Sequence, residues 1–197
     1  MKIGLTGGIG VGKSSVLKLF KTFGTTVIST DAISRNLVQV HKPTFSTIVT
    51  HFGKFICKKD GKLDRAKLRG IIFTNTKERE WLESLLHPVI YKEIEYQYEN
   101  ITTPYVIIEI PLFLESKLTI SVDRILMIDC SANIQIARVT TRDKVGFKQV
   151  ASIIASQLPR EAYLAICNDI LHNNGTLDEL KAKSLKLHHI YSKLVKN

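Results

Sequence analysis

The segment Gly7-Gly8-Ile9-Gly10-Val11-Gly12-Lys13-Ser14 constrains this chain more than any other. It matches the pattern G-x-x-x-x-G-K-[ST], and its surroundings fit the pattern. A short apolar run from Lys2 to Leu5 precedes it and reads as a buried strand. After it, Val16, Leu17, Leu19, Phe20 and Phe23 recur at helical spacing, with Gly24 as a stop. Glycines allow the tight curl that points successive amides at phosphate oxygens, and the helix N-terminus adds positive partial charge. The motif therefore predicts ATP contacts from Gly8, Ile9, Gly10, Val11, Gly12, Lys13, Ser14 and Ser15. In this arrangement Lys13 reaches the β- and γ-phosphates, and the Ser14 hydroxyl coordinates the Mg2+ that bridges them. A glycine turn that only packs strand on helix is the structural alternative, and the register of strand, motif and helix speaks against it.

The rest of the chain alternates strands and helices. Thr25 to Ile28, Tyr105 to Ile110, Arg124 to Asp129 and, more weakly, Asp169 to His172 read as further strands, with helical segments after the third and fourth. This predicts an α/β fold with a five-stranded parallel sheet flanked by helices. Between the second and third strands, Asp31 to Pro104 holds helical patterns and no good strand, so it reads as an inserted helical region. Asp64 is placed to cap a helix carrying Leu68, Ile71 and Ile72, and His87-Pro88 is read as a corner between two helices. Ser131 is predicted to cap a helix to Arg142, Phe147 to Gln157 to form another, and Pro159 to start a third. A last helix bears Leu177, Leu180, Leu187, Tyr191 and Leu194 on one stripe.

Composition removes several function classes. Among 197 residues, 28 lysines and arginines face 18 acids, for a net charge of +10, which favours polyanionic partners. The basic residues are spread along the chain, without a basic stripe interleaved with aromatics, which argues against nucleic acid as the partner. Cys57, Cys130 and Cys167 have no Cys-x-x-Cys spacing and are expected to be reduced thiols. No run approaches the ~20 apolar residues of a membrane span and no secretory leader is visible, so a cytoplasmic, unprocessed protein away from membranes is expected. The chain has no Asn-Lys-x-Asp, and its Asp-x-x-Gly match, Asp143 to Gly146, follows a helix, so a GTPase switch is disfavoured.

Asp31 follows the second strand at the carboxyl edge, where ligands of parallel α/β sheets bind. There it can take the proton of an acceptor hydroxyl, or cap the helix beginning near Ser34. Arg138 and Arg142 share a helical face, and with Arg160 they suggest a lid that binds the transferring phosphate and excludes water. His87 fits a structural corner or an acceptor contact. Glu109 and Glu115 flank Pro111, and Glu109 is a candidate to organise magnesium-bound water or the Asp31 region.

At these positions the sequence resembles the dephospho-coenzyme A kinases nearly end to end. The matching stretches include Leu5 to Ser14, Val27-Ile-Ser-Thr-Asp31 with Arg35, Leu63-Asp-Arg65 to Leu68, and Leu86-His-Pro88. Further along come Pro111-Leu-Phe-Leu-Glu115, Asp129 to Arg138, Arg142-Asp143, Gln157 with Pro159-Arg-Glu161, and Asn173-Asn-Gly175. The resemblance implies a P-loop kinase fold with core 1–30, 104–138 and 166–197, a helical acceptor-binding region 31–103 and a lid 139–165. It implies ATP-dependent phosphorylation of the ribose 3′-hydroxyl of dephospho-coenzyme A, with Asp31 as base and Arg138 and Arg142 stabilising charge; a monomer is expected, although the sequence itself does not give the oligomeric state. Nucleotide contacts from Asn173 and Gly175 are implied as well. So are acceptor contacts from Asp31, Arg35, Arg65 and Leu68, together with His87, Pro111, Leu112 and Arg160. Two positions depart from the family pattern: Ser29 stands where an acid is frequent, and His172 where the family usually has Asp. A nucleoside or nucleoside monophosphate kinase, and a nucleic-acid-dependent ATPase, are the other readings of the loop.

Overall fold

The computed structural model describes residues 1–111, 113 and 120–195. The five predicted strands are present as β1 (Lys2–Thr6), β2 (Thr26–Ser29), β3 (Val106–Glu109), β4 (Arg124–Asp129) and β5 (Asp169–His172). They form one sheet in the order β2-β3-β1-β4-β5, with every neighbouring pair parallel. The helices are α1 (Lys13–Thr22), α2 (Thr30–Leu37), α3 (Pro43–Phe52), α4 (Arg65–Thr74), α5 (Thr76–Glu99), α6 (Ala132–Asp143), α7 (Phe147–Ala155), α8 (Arg160–Ile166) and α9 (Leu177–Leu194). In this order β2 lies to one side of β1 and β4 to the other, so the loop leaving β1 sits where the connections diverge. That switch point is the place where parallel α/β sheets bind ligands.

The chain divides into two compact units, Met1–Ser29 with Asn100–Asn197, and Thr30–Glu99. In the first, strands buried on both faces read as near-continuous apolar runs, and Ile3, Leu5, Ile107, Leu126 and Ile128 are fully buried. Val16 and Phe20 of α1 and Leu180 and Tyr191 of α9 close over them in one cluster. The second unit packs α2 to α5 around Ile48, Ile56, Leu68 and Leu82. Asp64 caps α4 as predicted, its side chain accepting the Lys67 amide at 3.1 Å.

Two readings of the sequence need correction. His87-Pro88 does not make a corner: α5 runs unbroken through Pro88 for 24 residues. A proline removes one helical hydrogen bond, and here Leu82, Ile90 and Ile94 are buried on both sides of it, so packing holds the helix together across the gap. The stripe of α9 is shorter than expected. Leu177 and Leu194, at its two ends, are exposed, and the buried face is Leu180, Ser184 and Tyr191 with Leu187 packed beside them. The segment after β3, including Leu112 and Glu115, lies largely outside the described residues. The three cysteines are free thiols. Among the described residues no helix is long and apolar enough to cross a membrane.

Candidate phosphate site and acceptor cavity

Residues Gly7 to Gly12 curl between β1 and α1 in a conformation that side chains resist. Gly12 caps α1 at φ +97°, and Gly7 stands at φ +143°. A Cβ on Gly7 would collide with the Ile128 carbonyl, and one on Gly12 with Asn173 Nδ2. Gly12→Ala is therefore expected to lower the melting temperature by several degrees. Left-handed backbone costs a non-glycine residue ~1–2 kcal/mol, each kcal/mol is worth roughly 2–4 °C at this size, and the clash adds to both. Thermal unfolding followed by circular dichroism checks it, and an unchanged midpoint would refute the close approach.

The first turn of α1 has no acidic residue, so its amides and Lys13 make an electropositive mouth. The Lys13 ammonium donates to the carbonyls of Gly7 at 2.6 Å and Gly8 at 2.9 Å, which holds it over the loop. Ser14 and Ser15 are exposed on the first turn of α1. A cradle of curled backbone, one ammonium and an exposed hydroxyl is the donor set that a magnesium-bound polyphosphate requires.

Side chains from three other elements brace this loop. Asn173, just past β5, donates Nδ2 to the Val11 carbonyl at 2.8 Å. Arg138 of α6 donates to the same carbonyl at 3.4 Å and to the Asn173 carbonyl at 3.1 Å. Gln135, one turn earlier, donates to the Ile9 carbonyl at 2.9 Å, while Gln157 accepts the Ile9 amide at 3.1 Å. Arg142 stands one turn beyond Arg138, its guanidinium held by Asp143 at 2.7 Å. Arg160, the first residue of α8, forks onto Asp129 at the end of β4. Gly175 lies in the turn before α9. Sequence reasoning missed Gln135 and Asp129. Gln135 shares a face of α6 with Arg138 at i, i+3, which was a usable signal, whereas the role of Asp129 depends on a partner 31 residues away.

At the neighbouring strand ends, the Ser29 hydroxyl donates to Glu109 Oε2 at 2.7 Å. Ser29 and Glu109 are register partners of β2 and β3, so the hydroxyl at this position comes with a carboxylate from the next strand. Pro111 follows β3 by two residues.

In the other unit, α2 begins at Thr30, so Asp31 stands inside its first turn rather than as its cap. Its carboxylate is more than half exposed and lies 3.9 Å from Arg35. Arg35 and Arg65 come together through a hydrogen bond from Arg65 Nη2 to the Arg35 carbonyl at 2.9 Å. Both line a cavity of about 230 Å³ with Arg69 at its rim and Leu68, Leu82 and Leu86 among its walls. Guanidinium groups over an apolar floor suit a ligand with phosphates at one end and a hydrocarbon body at the other. His87 lies half-buried on α5, next to Leu86. Among the described residues no cluster of three or more His, Cys, Asp or Glu could hold a metal ion.

A family model described as dephospho-CoA kinase matches residues 1–179. A dephospho-CoA kinase of Salmonella choleraesuis is 41% identical over 192 residues, covering 98% of this chain and 93% of that protein. Among solved structures, a protein of Thermus thermophilus superposes with a TM-score of 0.83 at 25% identity, over 96% of each chain. A dephospho-CoA kinase from Campylobacter jejuni superposes with a TM-score of 0.70 at 26% identity, over 98% of each chain.

Proposed function

The chain belongs to the dephospho-CoA kinase family, and we propose that its own residues carry out that reaction as follows. The γ-phosphoryl of ATP passes to the ribose 3′-hydroxyl of dephospho-CoA, giving CoA and ADP. The loop Gly8 to Ser15 binds the nucleotide phosphates, with Asn173 and Gly175 on the nucleotide side. Lys13 stabilises the charge that grows on the transferring group, and Arg138, Arg142 and Arg160 add to it from the 139–165 lid and its base. The Ser14 hydroxyl would hold a magnesium ion, which would supply charge neutralisation to the nucleotide phosphates. Asp31 takes the proton of the attacking hydroxyl. Ser29 and Glu109 stand at the strand ends that precede Asp31 and Pro111 in the chain, and Glu109 supplies an acceptor there.

The acceptor is assigned to the helical region on one observation, the arginine-rimmed apolar cavity lined by Arg35, Arg65 and Leu68. Dephospho-CoA offers a diphosphate for the arginines and a pantetheine arm for the apolar wall, and His87, Pro111 and Leu112 complete the proposed contacts. An ADP-release assay with ATP and a panel of acceptors tests the assignment. Turnover with dephospho-CoA far above that with nucleosides or nucleoside monophosphates is expected, and preference for any of those would overturn it. Arg65→Ala is expected to raise the KM for dephospho-CoA on the order of tenfold, the worth of a lost charge-assisted contact, with kcat and the KM for ATP little changed. A change in the KM for ATP instead would remove Arg65 from the acceptor side. The enzyme acts as a cytoplasmic monomer in this reading, a point that sedimentation of the purified protein checks.

A further inference from the structure

Arg160 is half exposed, yet one edge of its guanidinium is fixed. Nε donates to Asp129 Oδ1 at 2.9 Å and Nη2 to Oδ2 at 2.7 Å, a two-bond fork. Asp129 ends β4, so its side chain emerges at the carboxyl edge of the sheet beside the phosphate loop. Its carboxylate is only 7% exposed. Burying a carboxylate is costly unless it is paired, and here three hydrogen bonds hold it: the two from Arg160 and one with His172 Nδ1 at 3.1 Å. The Arg160 hydrogen bonds, and behind them its charge, keep the Asp129 carboxyl below the usual carboxylate range, so the pair is ionised at neutral pH.

This fork faces the chemistry. Asp129 and Arg160 line a cavity of about 80 Å³ whose other walls include Gly8 and Val11 of the phosphate loop. Three residues before Arg160, Gln157 takes the Ile9 amide, so the segment between α7 and α8 is tied to the core at the loop and at the strand end. The fork consumes Nε and Nη2 and leaves the Nη1 donors for an anion. A long arginine held in this way has its geometry set before the ligand arrives, and preorganised cations are the ones that favour a transition state over a ground state.

We propose that Asp129 is a positioning residue for phosphoryl transfer, acting through Arg160, whose guanidinium it holds at the phosphate loop with His172 as the third partner of the carboxylate. This rests on the reading of the loop as an ATP site and of Arg160 as one of its cations. Asp129→Asn keeps the shape but replaces one acceptor of the fork by a donor and removes the charge that holds Arg160.

A double-mutant cycle on the full chain decides the matter, with Asp129→Asn, Arg160→Ala and the pair measured by kcat and by binding of a non-hydrolysable ATP analogue with magnesium. Each single variant is expected to lose on the order of tenfold to a hundredfold in kcat, with the KM for dephospho-CoA within a few-fold of wild type. In the pair the losses should not multiply, because once Arg160 is gone Asp129 has nothing left to hold. Multiplying losses, or normal kcat in Asp129→Asn, would overturn the proposal. If Asp129→Asn does not fold by circular dichroism, Arg160→Lys serves in its place: it keeps the charge but cannot make the fork. A drop in kcat like that of Arg160→Ala then supports the positioning role, and wild-type kcat overturns it. A wild-type chain inactive on dephospho-CoA would sink the acceptor assignment, while non-additive losses in analogue binding would still support Asp129 acting through Arg160 and additive ones would not.

Discussion

Lys13→Ala is expected to lower kcat on the order of a thousandfold while leaving the melting temperature within a few degrees of wild type. The two halves of that statement have different causes. The Lys13 ammonium donates to the Gly7 and Gly8 carbonyls, and these lie at a half-buried loop where water can replace a lost donor. Each such exchange is worth about 0.5–1.5 kcal/mol at most, because protein–water bonds are regained. Catalysis has no such substitute. Phosphoryl transfer asks the protein for little covalent chemistry, so positioned positive charge supplies most of the rate, and a thousandfold corresponds to about 4 kcal/mol of barrier. Ser14→Ala is expected to fall in the same direction, with loss of magnesium dependence as its signature. Single-turnover kinetics with saturating ATP, beside a thermal melt, separates the two effects. A Lys13→Ala enzyme with near-normal single-turnover rate would remove the loop from the reaction.

The legibility of this chain was uneven, for physical reasons. The strands β1, β3 and β4 were readable because they are buried in the middle of the sheet and their sequences are largely apolar runs; the edge strands β2 and β5 have polar ends and partial exposure, yet even the weak β5 pairs with β4 along its length. The phosphate loop was readable because glycine has few substitutes where φ is positive and another backbone lies within contact distance. Helix continuity was less readable: Pro88 is a local signal for a break, and the burial of Leu82, Ile90 and Ile94 that overrides it belongs to tertiary structure. The same distinction divides the site. Residues defined by their place in a motif, such as Lys13 and Ser14, could be read one by one. The fork of Arg160 on Asp129, the clamp of Gln135 and Gln157 on Ile9, and the hydrogen bond from Ser29 to Glu109 join positions far apart in sequence, and neither partner is distinctive without the other.

Asp31→Asn is expected to lower kcat by on the order of a hundredfold or more, with ATP binding within a few-fold of wild type. Asparagine keeps the shape and an acceptor oxygen but cannot take a proton. The competing role for Asp31 is structural, and its size can be bounded. In the first turn of α2 the carboxylate favours the helix dipole by about 0.3–1 kcal/mol. Its pairing with Arg35 at 3.9 Å, both side chains more than half exposed, adds about 0.3–0.5 kcal/mol as an i,i+4 pair. Together these terms predict a shift of a few degrees in the melting temperature, too little to depopulate the folded enzyme at assay temperature. A hundredfold loss of rate corresponds to about 2.7 kcal/mol of barrier and acts on folded molecules, so the two roles separate by experiment. Ser29 offers no replacement, because its hydroxyl proton is already donated to Glu109. The decisive measurement is kcat per folded molecule, with nucleotide affinity taken by direct titration. If folded Asp31→Asn turned over at the wild-type rate while its melting temperature dropped, the residue would be a helix-end stabiliser and the proton acceptor would have to be another group.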